Sequence, residues 1–252
     1  LLEYQPIVAC STHALVALEA LARWHRPGHG RIVPDRFIPL AEADAELTDK
    51  LTFAVAARAA EDWPVLTAAR FNGTLALNIS AGNVRRLDFP ERLATVFDAR
   101  GVPPTRITLE ITETVAMADP LVTMDILLRL RLKGFSLSID DFGTGYSSLG
   151  MLRQLPYGEV KIDRSFVKGM ASSRDHLAVV RAVIALARAM EITTVAEGVE
   201  DEQSLRMLTE LGCSCAQGFG ISRPMEPSML RDWLAKHAAH TADGEGSQGP
   251  LR

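Results

Sequence analysis

The part of this 252-residue chain best suited to chemistry is a pair of adjacent acids before a glycine-punctuated loop. The strand-like run 135–139 leads into Asp140 and Asp141. Neighbouring residues of a strand point to opposite faces, so both acids share a site only if the strand ends there; Gly143 and Gly145 permit such a sharp turn. Two carboxylates at one strand tip repel each other unless a cation or a proton lies between them. The pattern therefore indicates a metal site.

Polar side chains recur near the ends of other strand-like runs. They are Glu19, Asn78, Glu110, Lys161, Glu197 and Gln217. A single carboxylate at a strand end is usually solvated or half of an ion pair, but here the placement repeats in strand after strand. Together with the two adjacent acids, the set supplies five carboxylates and the amide of Asn78, the oxygen-rich ligands that Mg²⁺ and Mn²⁺ prefer. With one shared carboxylate, such a set holds two ions about 3.5–4 Å apart.

The elements that must position these groups alternate between short β-branched runs and longer amphipathic runs, which indicates an α/β fold with a mainly parallel sheet. The predicted strands are residues 4–9, 15–21, 75–79, 107–111, 136–139, 160–162, 193–196 and 214–217. The predicted helices are residues 48–63, 90–100, 121–133, 175–190, 201–211 and 227–238. Eight strands favour a closed barrel, whose active site lies at the carboxyl ends of the strands. No helix separates the first two strands, so we expect a hairpin and one antiparallel strand near the N-terminus.

Composition and charge narrow the function classes. The net charge of −4 gives no general attraction for nucleic acid or anionic lipid, so we expect neither a nucleic acid polymer nor a membrane as a partner of this domain. Three cysteines without zinc spacing are expected to be buried free thiols in a reducing compartment, and we expect a cytoplasmic location. The chain begins at Leu1 inside a strand-like run without Met, as expected of a domain excised from a parent protein with sensory, cyclase or membrane-anchoring parts.

Eight short motifs follow one another between Tyr4 and about Leu234. They are YQPIV (4–8), EALARW (19–24), NIS (78–80), LEITE (109–113), DDFGTGYSSL (140–149), KIDRSFV (161–167), AEGVE (196–200) and QG (217–218) with RP (223–224). In this order they resemble the EAL-domain family of bacterial phosphodiesterases, which linearise cyclic di-GMP to pGpG. The resemblance implies a modified TIM (β/α)₈ barrel with one reversed strand, formed by residues 1–239. Residues 240–252 are polar and small, and we expect them to form a disordered tail.

The resemblance also implies roles for the residues at the matched positions. The ligands of one Mg²⁺ or Mn²⁺ ion would be Glu19, Asn78, Glu110 and Asp140. The ligands of a second ion would be the shared Asp140 with Asp141 and Glu197. Lys161 matches the lysine that positions the attacking water, and Glu197 also matches a general base. The catalytic set is thus Glu19, Asp140, Lys161 and Glu197.

The remaining matched positions belong to the substrate pocket and to the loop 141–149. Those of the pocket are Gln5, Leu21, Arg23, Glu200 and Gln217, with Arg23 available to a phosphate. Glu113 matches an acid that braces the loop, and the glycines of the loop suggest an element that couples metal occupancy to a second subunit of a homodimer.

Three functions are compatible with the residues. The first is an active, metal-dependent cyclic di-GMP phosphodiesterase, and the second is a non-catalytic receptor for the same dinucleotide. The third is a barrel hydrolase of another phosphoester, because only the resemblance names the guanine dinucleotide. Ligands present at every matched position count against the receptor, since degenerate members of the family lose them.

Overall fold

The computed structural model describes residues 1–113, 120–143 and 155–245. Its strands are β1 (Leu2–Ala9), β2 (Leu15–Ala22), β3 (Trp24–Arg26), β4 (Gly30–Ile32), β5 (Thr74–Asn78), β6 (Ile107–Thr112), β7 (Ser136–Phe142), β8 (Glu159–Ile162), β9 (Thr193–Ala196) and β10 (Cys215–Gln217). Its helices are α1 (Pro34–Glu42), α2 (Ala45–Ala68), α3 (Phe89–Asp98), α4 (Pro120–Leu132), α5 (Arg164–Gly169), α6 (Arg174–Ala189), α7 (Glu202–Leu211) and α8 (Leu230–Glu245). Short 3₁₀ turns lie at Asn83–Arg85, Pro104–Arg106 and Pro227–Met229.

A closed barrel forms the centre of the domain, with its strands in the order β1-β10-β9-β8-β7-β6-β5-β2. Strand β1 runs antiparallel to both of its neighbours, while the other neighbouring pairs are parallel. Each of the eight predicted strands corresponds to one strand of the barrel. The predicted modified TIM barrel with one reversed strand is therefore confirmed.

Strand β7 departs from the prediction in a way that matters for the site. We predicted that the strand ends before the two acids, but it continues to Phe142. Its register with β8 shifts between Ile139 and Phe142, and Asp141 has a φ of 54°. A bulge with one left-handed residue removes the strict alternation of side chains, so two consecutive acids reach the same side of an unbroken strand.

The main core lies between the outer wall of the barrel and the surrounding helices, where the largest buried side chains include Phe89, Phe97 and Phe135. A small separate cluster of Ile7, Val195 and Cys215 lies inside the barrel. Lys161 is the register partner of Val195, so the lysine lies on the same inner face. Glu159, two residues before Lys161 on the same face, is partly buried beside Ser138, so the barrel interior beneath the predicted site is partly polar.

Three local features refine the sequence prediction. The cysteines at positions 10, 213 and 215 are buried and free, as predicted. Gly212 ends α7 with a φ of 80°, as its position suggests. The residue that caps α6 is Ser173, whose hydroxyl accepts from the backbone N–H of His176. Asp175 lies in the first turn, where an acid also suits the helix dipole.

Helix α8 runs to Glu245 and so extends past His240, where the predicted tail begins. Alanines at this point favour continuation of the helix. Residues 246–252 lie outside the described residues, and the domain boundary at residue 239 stays a prediction. Within the described ranges, none of the helices has the length and apolar character needed to cross a bilayer.

Candidate active site

The polar groups predicted at the strand ends converge on one buried ammonium group. Lys161 belongs to β8 and its side chain is 0% exposed. Four carboxylates from β2, β6, β7 and the end of β9 surround it. The distances from its Nζ are 2.6 Å to Glu197, 3.1 Å to Glu110, 3.3 Å to Asp140 and 3.8 Å to Glu19. These five side chains are called the acid ring below.

One ammonium does not balance the charge of four carboxylates. Burial opposes the charged form of Lys161, yet the surrounding acids raise its pKa well above the usual value. Burial likewise raises the pKa of Glu110 well above its usual value, and the neighbouring acids add to the effect against the attraction of Lys161. Burial raises the pKa of Glu197 to about 7. Glu110 and Glu197 therefore bind protons more readily than free carboxylates do, and a divalent cation would displace these protons.

Glu19 differs from the other acids of the ring because neutral donors stabilise its charge. Asn78 donates to its Oε1 at 2.9 Å, and Gln217 donates to its Oε2 at 2.6 Å. Burial alone would raise the pKa of Glu19, but Lys161 and these two amides lower it. Gln217 also donates to Gln5 at 3.1 Å, which links the reversed strand β1 to the ring.

The bulge of β7 creates a second acidic group beside the ring. Ligand atoms of Asp140, Asp141 and Glu197 all lie within 4.8 Å of one another. Burial raises the pKa of Asp141 to about 6, and the charges of Asp140 and Asp163 add to this. Such proximity of three oxygen donors suits a hard divalent cation.

Asp163 is a neighbour of the site that we did not predict. It hydrogen-bonds the side chain of Asp141 and also caps α5 through the backbone N–H of Ser165. A signal was present, because this acid stands two residues after Lys161 and directly after strand β8. An acid before a helix is, however, usually only a cap.

The residues present fit a divalent cation. In the described part of the chain, neither carboxylate oxygen of the buried Glu110 has a hydrogen-bond donor, and Lys161 Nζ lacks favourable hydrogen-bond geometry despite its close acids. A buried carboxylate oxygen without a donor is costly, and a metal ion would satisfy it. Carboxylate and amide oxygens form the donor set, which is the preference of Mg²⁺ and Mn²⁺.

In the described part of the chain, the predicted brace Glu113 contacts the start of the β7 loop. Glu113 is 4% exposed, and its Oε2 accepts a hydrogen bond from the backbone N–H of Gly143 at 3.2 Å. Gly143 has a φ of 100°, which favours glycine. Residues 144–149 of the predicted loop lie outside the described residues.

The predicted substrate contacts line two cavities next to the acid ring. A cleft of about 480 Å³ is lined by Leu21 and Arg23 together with Asn78, Asp140 and Asp141. A smaller cavity of about 160 Å³ borders the other side of the ring. Its walls include Gln5, Glu19, Glu197, Glu200 and Gln217. The structure thus brings the predicted residues to one mouth of the barrel, in two adjoining cavities.

This arrangement of acids, lysine and reversed strand matches a known family along most of the chain. The family model described as "EAL domain" matches residues 1–224. The chain belongs to the EAL domain family.

Relatives in the EAL family share a moderate sequence identity with this chain. One is the bifunctional diguanylate cyclase/cyclic di-GMP phosphodiesterase MucR of Pseudomonas aeruginosa, 38% identical over 91% of this chain and 33% of that protein. Another is the cyclic di-GMP phosphodiesterase NbdA of the same organism, 40% identical over 92% of this chain and 30% of that protein. The chain thus spans about a third of the length of these relatives.

A solved EAL structure agrees with the fold. The PaMucR phosphodiesterase in complex with c-di-GMP superimposes with a TM-score of 0.86 at 38% identity, covering 91% of this chain and 93% of that one. The similarity therefore extends over nearly the whole of that chain.

Proposed function

We propose that this chain is a metal-dependent phosphodiesterase that hydrolyses cyclic di-GMP to linear pGpG. The observation that carries the proposal is the acid ring around Lys161, which lies at the barrel mouth beside a cleft lined by Arg23. Relatives named as cyclic di-GMP phosphodiesterases support the substrate, as does the solved complex of a relative with c-di-GMP. Since the chain is about a third of these relatives' length, their activity extends to it only as a proposal.

Two Mg²⁺ or Mn²⁺ ions would be held by the acids described above. The first ion would be bound by Glu19, Asn78, Glu110 and Asp140. The second would be bound by Asp140, Asp141 and Glu197. When bound, such ions lower the pKa of water and neutralise the negative charge of a phosphodiester.

The chain's own residues would then handle the proton and the substrate. Glu197, whose Oε1 lies 2.6 Å from Lys161 Nζ, is placed to accept the proton of the attacking water. Lys161 donates from a fixed position next to it and orients that water. The water oxygen bonds to phosphorus, the P–O3′ bond breaks, and the departing 3′ oxygen takes up a proton. Arg23 would bind the phosphate from the cleft.

The test is incubation of the purified chain with cyclic di-GMP and Mg²⁺ or Mn²⁺, followed by chromatography of the nucleotides. We expect pGpG with metal, none with EDTA, and none from a Glu19→Ala variant. Tight binding without product would instead favour the non-catalytic receptor. Hydrolysis of other phosphoesters in preference to cyclic di-GMP would favour the third function.

We also propose a homodimer and a parent protein with sensory or cyclase domains, located in the cytoplasm. The length of relatives such as MucR, a bifunctional diguanylate cyclase/cyclic di-GMP phosphodiesterase, supports the additional domains. Light scattering at several protein concentrations tests the dimer, and a consistently monomeric mass would contradict it.

A further inference from the structure

Arg23 is held by two contacts that leave one end of its guanidinium group for a ligand. Its Nε donates to Glu3 Oε2 at 2.7 Å, and its Nη1 donates to the carbonyl of Ala22 at 3.0 Å. Among the described residues, no acceptor pairs with its Nη2. The planar guanidinium group is thereby fixed in orientation, since two of its three nitrogens are held.

The reversed strand explains why Glu3 lies beside this arginine. Glu3 is the register partner of Leu21, and the backbone of Arg23 pairs with that of Leu1. Arg23 is therefore a diagonal neighbour of Glu3 on the same face of the hairpin. This face also carries Gln5, which contacts Gln217 next to the acid ring. A parallel first strand would not produce this pairing.

Glu3 also binds a second arginine from a different element. Arg31 of strand β4 donates to the same Oε2 of Glu3 at 2.9 Å. The side chains of Arg23 and Glu3 are only 8% and 18% exposed, whereas that of Arg31 is 48% exposed. Burial alone would raise the pKa of Glu3, but Arg23 and then Arg31 lower it, so the acid stays ionised at neutral pH.

The orientation of Arg23 matters because the residue borders two cavities, one lined partly by acids and the other by apolar side chains. One is the cleft of about 480 Å³ that Asp140 and Asp141 also line. The other is an apolar groove of about 420 Å³, lined by side chains such as Trp24 and Phe37. The contact with Glu3 restricts the rotamers of an otherwise long and flexible side chain.

We infer that Glu3 is a positioning residue for the substrate, acting through Arg23. It holds the guanidinium group so that its remaining N–H groups are available to a phosphate in the cleft, and it lowers the entropy cost of binding. The inference rests on the proposed function, because it assigns a phosphate of cyclic di-GMP to Arg23. Glu3 itself contacts neither the acid ring nor the reacting atoms.

The experiment compares Glu3→Ala with Glu3→Gln, because glutamine keeps an acceptor oxygen for Arg23 Nε but loses the charge. We expect Glu3→Ala to raise KM for cyclic di-GMP by about tenfold, with kcat changed less than about twofold. We expect Glu3→Gln to recover most of this loss. Glu202→Ala is the matched control, since Glu202 forms a surface pair with Arg206 at 2.8 Å, and its KM should not change.

An unchanged or lower KM in Glu3→Ala would overturn the inference, and so would an equal rise in KM in both Glu3 variants, because glutamine keeps the acceptor for Arg23 Nε. Thermal unfolding of each variant shows whether it is folded. A second readout is the Arg23 Nε–H signal in nitrogen-15 NMR, which should exchange slowly in the wild type and quickly in Glu3→Ala. If the wild type does not hydrolyse cyclic di-GMP, the proposed function fails, while this signal still tests the positioning; equal exchange in both proteins would refute it.

Discussion

The closest ion pair of the acid ring joins Lys161 Nζ and Glu197 Oε1 at 2.6 Å. The two residues come from neighbouring strand ends, because the backbone N–H of Glu197 donates to the carbonyl of Ile162 at 3.1 Å. The ammonium group and the proposed base are therefore held together by the ladder of the barrel itself. Lys161 also opposes the rise in the pKa of Glu197 caused by burial. Loss of the lysine should thus affect both the orientation of water and the protonation of the base.

Replacement of Lys161 by methionine keeps the length of the side chain and removes its charge. We expect kcat to fall by at least about 100-fold, because a fixed donor beside the reacting atoms is lost. The residual rate should keep rising with pH and level off at a higher pH than in the wild type, since the pKa of Glu197 increases. Steady-state kinetics between pH 6 and 9 measure both effects. Lys50→Met serves as the control because Lys50 forms only an exposed pair with Glu46, and wild-type kinetics in Lys161→Met would refute the assigned role.

Asp140 belongs to both proposed metal groups, so its neutralisation should be more damaging than that of a surface acid. We expect Asp140→Asn to abolish turnover and to weaken binding of Mn²⁺ in calorimetry. Asp88→Asn alters a 55% exposed carboxylate paired with Arg86 and should behave as the wild type. A fully active Asp140→Asn protein would contradict the two-metal proposal.

The metal-free protein should become more stable as the pH is lowered from 8 to about 6. Glu197 and Asp141 have folded pKa values of about 7 and about 6, above their ordinary values, so the folded state binds more protons than the unfolded chain in this window. Thermal unfolding in EDTA at several pH values measures the trend, which should be smaller in Glu197→Gln. Saturating Mg²⁺ should raise Tm more at pH 8 than at pH 6, because protons compete with the metal. A Tm in EDTA that rises with pH in both proteins would count against this account.

The contact between Glu113 and Gly143 should control how well the acids of the β7 bulge bind metal. We expect Glu113→Ala to lower the affinity for Mn²⁺ by about tenfold, in the range seen when outer partners of metal ligands are lost. Glu113→Gln retains an acceptor for the backbone N–H and should lose less. Calorimetric titration with Mn²⁺ compares the two variants with the wild type, and equal affinities in all three would show that the brace has no such role.

Much of the barrel could be predicted from the sequence because its signals are local. Most strands are short apolar runs between loops, and the absence of a helix after residues 4–9 predicts the hairpin that contains the reversed strand. The convergence of Glu110, Lys161 and Glu197 follows from the fold, since the carboxyl ends of barrel strands meet at one mouth.

The features that we did not predict depend on contacts between distant residues. The bulge at Asp140 and Asp141 requires a register shift against β8, which no pattern within β7 reveals. The hairpin of β3 and β4 contains Pro27, Gly28 and Gly30 and is exposed, so it lacks the apolar alternation by which strands are recognised. The pairing of Glu3 with Arg23 depends on the register of the first two strands.

The closure of the barrel has a consequence for synthesis on the ribosome. Strand β1 is made before the other strands of the barrel, but it pairs with β10, and Gln217 donates to Gln5 across 212 positions and to Glu19 across 198. Until Cys215–Gln217 leaves the exit tunnel, β1 lacks one neighbour and Glu19 lacks one of the donors that keep it ionised. A nascent chain that stops short of this strand has most of the acids but an open sheet, so it is exposed to aggregation and proteolysis while it cannot assemble the complete ring.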